Sequence, residues 1–572
     1  MKDPIIVTNP ALCHDCYRCV RNCNVKAIRV KDGQAQIVPE LCIACGTCVR
    51  VCPQKAKEVW SAKRDVQRAI AEGKRVVASV APSAPACFDI QDFSQMEAAL
   101  KALGFYAAEE TAVGAEIVAL AHREYIEKNP GSRPLITSAC PVVVNLVEQY
   151  FPDLIGHLAP IVSPMIAHGR LLLKKYGPDA FIVFIGPCIA KKQEILEEPL
   201  RGAVHAAMTF HGLQDWLREK GIGWAAPREA APPQAPEKAR LFPIEGGLVG
   251  TARMNTDILG KGMVVASGLD ACEEALYDIR TGALQTDLVE LLACKGGCVN
   301  GPRMVDEIGG VSLARQRILE FHSRRQPGLQ IPRSEWPNLE RTLEDRKVPV
   351  PEFSEEQLRE VLHRVNKYTP DDELNCGACG YSSCREKAVA TLRGMAEVTM
   401  CIPYMRRRSE SLRQVVMDVA PDSILIVDDS LAIQDMSPSM ERLFGCKLQE
   451  MAGKPLADLF PALDDFVRVR DTGLPVIGQV RRLKEDITVE QTIVRVEKQG
   501  LLVAILRDIT EREKEREKFD VLREETLERT REVVGKQMRV AHEIAQLLGE
   551  TTAESKMIVA NLAALLKEEG PK

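Results

Sequence analysis

The chain has few aromatic residues, 5%, and only nine histidines in 572 residues, and it has neither a long apolar run nor an excess of basic charge. Each scarcity excludes something. The most apolar stretch, Phe181 to Ala190, is short and broken by Gly186 and Pro187. Nothing approaches the roughly 20 apolar residues of a transmembrane helix, so no membrane partner is expected. A net charge of −5 leaves no basic footprint for nucleic acid. The one basic run, Arg406, Arg407 and Arg408, reads as a solvated helix face. The opening MKDPIIVTNPALC lacks a basic-then-apolar targeting pattern. With 19 cysteines, that predicts a cytoplasmic, reducing setting in which thiolates bind metal rather than pair. The length suits roughly four domains.

What the chain does have is cysteine in pattern. Cys13, Cys16, Cys19 and Cys23 repeat as Cys42, Cys45, Cys48 and Cys52, and Pro53 closes the second run. Zinc sites usually show two separated C-x2-C pairs instead. The C-x2-C-x2-C-x3-C spacing resembles bacterial-type ferredoxins, in which the fourth Cys of each run ligates the other run's cluster. The resemblance implies one four-iron cluster on Cys13, Cys16, Cys19 and Cys52, and a second on Cys42, Cys45, Cys48 and Cys23. Asn24 departs from the Pro usual after the first run.

The expected architecture is multidomain α/β and α+β. A ferredoxin-like domain spans 1–60. From 61 to 345, apolar runs alternate with amphipathic stretches, as in an α/β domain with sheet layers. Arg75–Val80, Arg133–Ile136, Phe181–Ile185 and Gly262–Ala266 read as buried strands, and Gln95–Leu103 and Leu213–Lys220 as helices. Ala225 to Pro236 reads as an exposed loop. After a linker at Lys347–Pro351, Ser354 and Gln357 form a capping box. A small cysteine domain spans 352–410, a small α/β domain 411–510, and a charged helix 511–572. A second helical stretch is expected after Thr551–Ala553.

Three segments carry the chemistry of the central domain: TSACP (Thr137–Pro141), GPCIAKKQE (Gly186–Glu194) and LLACKGGCVNGP (Leu291–Pro302). Each sets a Cys beside Pro, Gly or Ala, where the chain can turn tightly. Cys294 and Cys298 are four apart, so a helical turn would present both on one face. From spacing alone, Cys140, Cys188, Cys294 and Cys298 suit a third four-iron cluster as well as they suit buried structural cysteines.

In this order the three segments resemble the signatures of the iron-iron hydrogenase catalytic domain, over about residues 75–325. The resemblance implies that the four cysteines hold the cubane of an H-cluster-like centre and that Cys298 bridges to a two-iron subsite. Lys191 matches the family lysine that hydrogen-bonds a cyanide there; a point-charge donor suits an anionic diatomic ligand. The competing reading is a surface lysine beside Lys192. Ser83, in the Ala81-Pro82-Ser83 loop, is a donor to the subsite or part of an ordinary turn. Several positions depart from the family. Ala139 stands where a proton-relaying Cys is found, and Ala has no titratable group for acid–base work. Gly186 and Leu292 replace methionines, Met165 replaces a Gln, Ala121-His122 replaces an acidic pair, and the tail after Cys298 is shortened to Asn300-Gly301-Pro302. These changes argue against fast hydrogen turnover.

Cys376-x2-Cys379-x4-Cys384 with Cys401 resembles a small four-iron domain of anaerobic electron carriers, with zinc as the rival occupant. The stretch from Asp422 to Phe460 resembles a PAS domain, with a buried strand at Ile424–Val427 and a turn at Asp428-Asp429. It ends on Asp508-Ile509-Thr510, from which such domains launch a signalling helix. The PAS ligand is not legible. The absence of His between Leu412 and Thr510 disfavours a His-ligated haem. Cys87, Cys272 and Cys446 read as small core residues. The terminal helix places Phe519, Leu522, Val533, Val540, Ile544 and Leu547 among dense charge, compatible with a dimeric coil. His542-Glu543 resembles a phospho-acceptor box, but the residues after it are too few for an ATP-binding domain, so a helix-surface His is the reading.

The expectation is a sensory, iron-iron-hydrogenase-like iron-sulfur protein of the cytoplasm. It carries two ferredoxin-type clusters, an H-cluster-like centre and a C-terminal four-iron cluster. Expected partners are a redox protein, a second copy of the chain, and a kinase or phosphatase. The rival readings are a slow or uptake hydrogenase and a redox sensor without the two-iron subsite.

Overall fold

The computed structural model describes residues 4–129, 134–224, 234–236, 238–254, 262–304, 309–324, 326–327, 331–460, 462–484, 486–548, 557–562 and 564. Most of the expected Ala225–Pro236 loop, Arg133 of an expected strand and the start of the second C-terminal helical stretch lie outside the described residues. The chain divides into two compact units, Met1–Met405 and Arg406–Lys572. No helix among the described residues is long and apolar enough to cross a membrane.

In the first unit, the paired cysteine runs fold as two copies of one backbone. Asp15, Tyr17 and Lys26 have φ of 50°, 53° and 49°; Ala44, Gly46 and Lys55, at the equivalent places, have 57°, 76° and 52°. Side-chain-bearing residues rarely adopt left-handed backbone, so its repetition shows the same tight loop built twice. A short helix follows in each copy, Arg18–Arg21 and Thr47–Val51. Strand Ile6–Thr8 pairs antiparallel with Lys57–Val59, and Ile28–Lys31 with Gln34–Ile37. Gly46 has to be glycine for a second reason. A Cβ there would lie 2.6 Å from Pro302 and 2.7 Å from Ile189 of the central domain, so the two domains are pressed together at this loop. Asn24, the departure from the usual Pro, donates to Asp270 at 2.7 Å and ties the first run to helix Leu269–Thr281.

The central domain holds two parallel sheets. One runs Ala107–Glu110, Val76–Val80, Phe181–Gly186, Ala206–Thr209; the other runs Met263–Ser267, Leu288–Leu292, Leu135–Ile136. Val76–Val80 is buried at every residue, as expected of a strand covered on both faces. Helices Ala112–Lys128 and Pro164–Tyr176 cross closely at Gly114, where a Cβ would meet the Pro164 carbonyl at 2.5 Å. The expected helix at Leu213–Lys220 starts earlier, at Phe210, because the Thr209 side chain caps it through the Gly212 N–H. The Ser354–Gln357 capping box forms as read and opens helix Glu355–His363.

Three expectations fail: the strand expected as buried at Gly262–Ala266 is half-buried, at Met263–Ser267; Gln234–Ala235, within the expected loop, is a strand paired with Gln326–Pro327; and the third concerns the last two central cysteines. Cys294 and Cys298 do not share a helical turn. Gly296 and Gly297 between them have φ of 81° and 97°, and a Cβ on Gly297 would lie 2.4 Å from the Pro243 carbonyl. The segment is a glycine loop that runs into the short turn Cys298–Asn300.

The second unit holds an antiparallel sheet in the order Ile433–Met436, Ser423–Asp428, Leu501–Asp508, Ile487–Val496, Val476–Lys484. Leu425, Val427, Phe466, Ile493 and Leu502 fill its core, and Cys446 packs against it. Cys87 and Cys272 are buried in the first unit. The helix Thr510–Leu548 leaves the last strand directly. Asp508 accepts from the Thr510 N–H at 2.9 Å and its hydroxyl at 2.6 Å, and the hydroxyl also reaches the Thr488 carbonyl at 3.3 Å. This N-cap holds the start of the helix against its sheet. Further along, Phe519, Leu522, Val533, Val540 and Ile544 are exposed, as is His542. Arg406, Arg407 and Arg408 lie exposed on helix Ile402–Val419.

Candidate metal centres

The central cysteines follow the C-terminal ends of parallel strands, where α/β folds place their sites. Cys140 comes after Leu135–Ile136, Cys188 after Phe181–Gly186, Cys294 after Leu288–Leu292, and Ser83 after Val76–Val80. The loops are held by side-chain hydrogen bonds: Ser138 donates to the Ile161 carbonyl at 2.7 Å, and Thr137 accepts from the Leu291 N–H at 3.4 Å. The four thiols are electrostatic neighbours. Cys294 faces Cys188, Cys298 and Cys140, and Cys298 faces Cys140 and Cys188. Burial pushes the Cys188 thiol up to about 11 and the Cys298 thiol up to about 12, and the neighbouring thiols add to both shifts. Four such thiols ionise together only if a cationic group compensates them, which fits an iron-sulfur cluster.

Two further donors sit in the loops that follow these strands. The Ser83 hydroxyl is buried with no hydrogen-bond partner, and an orphaned buried hydroxyl is costly unless a ligand accepts from it. Lys191 is buried, not on the surface, and lowers the thiols of Cys188 and Cys298. It begins a charged chain that sequence reading missed. Lys191 donates to Glu194 at 2.8 Å; Arg341 donates to Glu194 at 3.1 Å and to Glu197 at 2.9 Å. Glu197 lines a cavity of about 550 Å³ that also reaches Cys42. The i,i+3 spacing of Lys191 and Glu194 was a local signal for the first pair; Arg341 had none.

The departures also have structural counterparts. Gly186 leaves no room for a longer side chain: its Cβ would lie 2.6 Å from the Phe184 ring and 3.1 Å from Ala81. Leu292 and Met165 are buried, and Ala139 packs partly buried against the main core. His122 is fully buried, with Nδ1 2.8 Å from the Val118 carbonyl and Nε2 unpartnered; burial lowers it to about 4.

In the ferredoxin-like domain, Cys48 faces Cys45, Cys42 and Cys23, while Cys19 faces Cys13 and Cys16. The fourth thiol of the first run thus sits with the second set. Backbone N–H groups of Ala27, Ala44 and Ala56 donate to the sulfurs of Cys23, Cys42 and Cys52 at 3.3, 3.4 and 3.3 Å, the kind of contact that tunes cluster potentials. Cys376, Cys379, Cys384 and Cys401 line one pocket with Tyr381 and Lys387. Among the described residues, no group of three or more His, Cys, Asp or Glu is placed to hold a single metal ion.

Packing links the sets. Cys45 shares an apolar cluster with Cys140 and Cys188. Cys19 and Cys23 share another with Tyr381, Met395 and Cys379. A Cβ on Gly380 would touch Val20 at 3.0 Å, and Arg21 donates to the Ala378 carbonyl at 3.2 Å. The ferredoxin-like domain is thus packed against both the central domain and the small cysteine domain.

Comparison with known proteins agrees with this layout. Residues 74–302 match the family described as iron only hydrogenase large subunit, C-terminal domain. Residues 5–53 match a 4Fe-4S dicluster domain, 372–403 an Fe-S cluster family and 411–509 the PAS fold. The periplasmic Fe hydrogenase large subunit of Nitratidesulfovibrio vulgaris is 29% identical over 356 residues, 51% of this chain and 84% of that protein. Iron hydrogenase 1 of Clostridium pasteurianum is 26% identical over 288 residues, 40% of this chain and half of that one. A cytosolic Fe-S cluster assembly factor of Kluyveromyces lactis is 33% identical over 87 residues, 15% of this chain and 18% of its own length. The chain therefore joins iron-sulfur and hydrogenase-like domains to a PAS domain.

Proposed function

We propose that this protein is a hydrogen or redox sensor. In this reading an H-cluster-like centre and three further four-iron clusters set the state of the PAS domain and its helix. The observation that carries it is a combination. A hydrogenase-like thiol set lies beside a buried lysine, an orphaned serine hydroxyl follows a neighbouring strand, and the same chain carries a PAS sheet capped onto a helix of 39 residues. A catalyst alone has no need of the last two.

In this reading Cys140, Cys188, Cys294 and Cys298 would hold the four-iron part of the centre, with Cys298 the residue shared with a two-iron part. The bound clusters would supply one-electron chemistry and a place for hydrogen to react. Lys191 and Ser83 donate hydrogen bonds toward the subsite. Glu194 accepts from the Lys191 ammonium at 2.8 Å and is held in turn by Arg341. Ala139 offers no proton, which favours slow exchange suited to sensing over turnover. Cys45 packs with Cys140 and Cys188, so a cluster on the second ferredoxin-type set would be the one placed to exchange electrons with the centre. The output is a change in packing of the terminal helix within a dimer, read by a kinase or phosphatase. Comparing partner regulation by the full chain under hydrogen and under oxidant tests this; an output blind to both contradicts it.

A further inference from the structure

Lys192 is the least expected residue of the first unit. It is 1% exposed, yet among the described residues it makes one hydrogen bond, to the Ala207 carbonyl, and no ion pair. Its ammonium lies over the Trp60 ring, 5.3 Å from the centroid, a cation–π contact that offsets part of the cost of burial, and Arg303 is close enough to repel it. A buried ammonium without a counter-ion is strongly unfavourable, and a second cation facing it makes matters worse.

Both groups open onto a cavity of about 490 Å³ between the ferredoxin-like and central domains. Arg50 and Lys55 add positive charge to its wall. The carboxylates there are engaged elsewhere: Glu58 accepts from Asn9 at 2.9 Å, and Asp215 pairs with His211 at 2.9 Å. Thr209 and Gly212, at the start of helix Phe210–Lys220, supply polar lining, and a helix N-terminus favours anions. The space is concave, cationic, and centred on a buried amine with no counter-ion among the described residues.

We propose that this cavity binds a small phosphate-bearing anion seated on Lys192 and Arg303. Cys52 lines the same wall, so negative charge placed there disfavours reduction of the cluster that Cys52 helps hold. Occupancy is thereby linked to redox state, the oxidised protein binding more tightly. The binding stands on the cavity alone; the linkage rests also on the ferredoxin-type ligand set.

The test is anaerobic calorimetry on the full-length, cluster-loaded chain at low ionic strength, with inorganic phosphate and with adenosine monophosphate. One saturable site per chain is expected, weakened at least tenfold by Lys192→Met. That variant should fold, because replacing a buried unpaired charge by an apolar chain of similar length is neutral or stabilising. Tighter binding of the nucleotide assigns the site to phosphate esters through Trp60; equal affinity assigns it to phosphate itself. No saturable binding of either, or equal affinity in wild type and Lys192→Met, overturns the proposal. A tenfold preference for the oxidised form lowers the cluster's midpoint potential by about 59 mV at saturation. Saturable binding without a shift overturns the linkage and keeps the site.

Discussion

Lys191 and Glu194 form a buried ion pair at 2.8 Å, one turn apart on the short helix that follows Cys188. Glu194 is also held by Arg341 at 3.1 Å, so one carboxylate balances two cations. Removing its charge takes the counter-ion from Lys191 and leaves Arg341 with Glu197 alone. Glu194→Gln should destabilise the central domain by about 3–5 kcal/mol, the usual consequence of breaking a buried pair. Thermal denaturation followed by cluster absorbance checks it. An unchanged midpoint would mean that Lys191 has another counter-ion.

Glu197, at the outer end of the same chain, gives a pH dependence. Burial pushes its carboxyl up to about 7; Arg341 opposes this, while Glu194 and Glu148 add to it. Between the ordinary glutamate value and about 7, the folded chain holds a proton that the unfolded chain has released. The stability that this carboxyl contributes therefore falls as pH rises through that window, by up to about 1.4 kcal/mol per pH unit, while His122, lowered to about 4 by burial, contributes in the opposite direction below about 6.5. Glu197→Gln should flatten part of the fall. Glu290, raised to about 7 by complete burial, keeps the remainder. Denaturation midpoints at several pH values between 5 and 8 measure both.

Iron content follows from the thiol sets. Four four-iron clusters predict about sixteen irons per chain, or eighteen with the two-iron subsite. Cys140→Ala and Cys376→Ala should each remove about one cluster without disturbing the others. Near eight irons in the wild type, unchanged in both variants, would confine cluster binding to the ferredoxin-like domain.

Ala139 predicts slow proton delivery. A positioned acid or base is typically worth about 10²–10⁴ in rate, so Ala139→Cys should raise hydrogen–deuterium exchange by an amount in that range. An unchanged rate in protein shown to hold the two-iron subsite would place the limit elsewhere.

The helix from Thr510 predicts dimerisation. Phe519, Leu522, Val533 and Val540 are exposed along it, a seam that a paired coil would cover. Truncation after Thr510 should leave iron content intact and weaken self-association in sedimentation measurements. A full-length chain that is monomeric both oxidised and reduced would remove the dimeric output.

Much of this was legible because cluster ligation writes itself into local spacing. The repeat Cys13–Cys23 and Cys42–Cys52 can be read by eye, and it reappears in matched left-handed residues. The strands before Cys140 and Cys188 were legible as short apolar runs, whereas Leu288–Leu292, before Cys294, was not read as a strand. The helical turn at Cys294–Cys298 was misread because residue spacing alone ignores Gly296 and Gly297, whose backbone cannot continue a helix. Glu194 with Arg341, 147 residues apart, and Lys192 inside a cavity depend on the packing of distant segments, which no window of sequence contains.

The central claim is that Cys298, Lys191 and Ser83 surround a two-iron subsite whose state the chain reports. Infrared absorption in the CO and CN stretching region, recorded on anaerobically matured full-length protein, tests it most directly. The account predicts bands in that region that shift between hydrogen and oxidant, with a CN band altered in Lys191→Met. A protein that carries its four-iron clusters but shows no absorption there would contradict it.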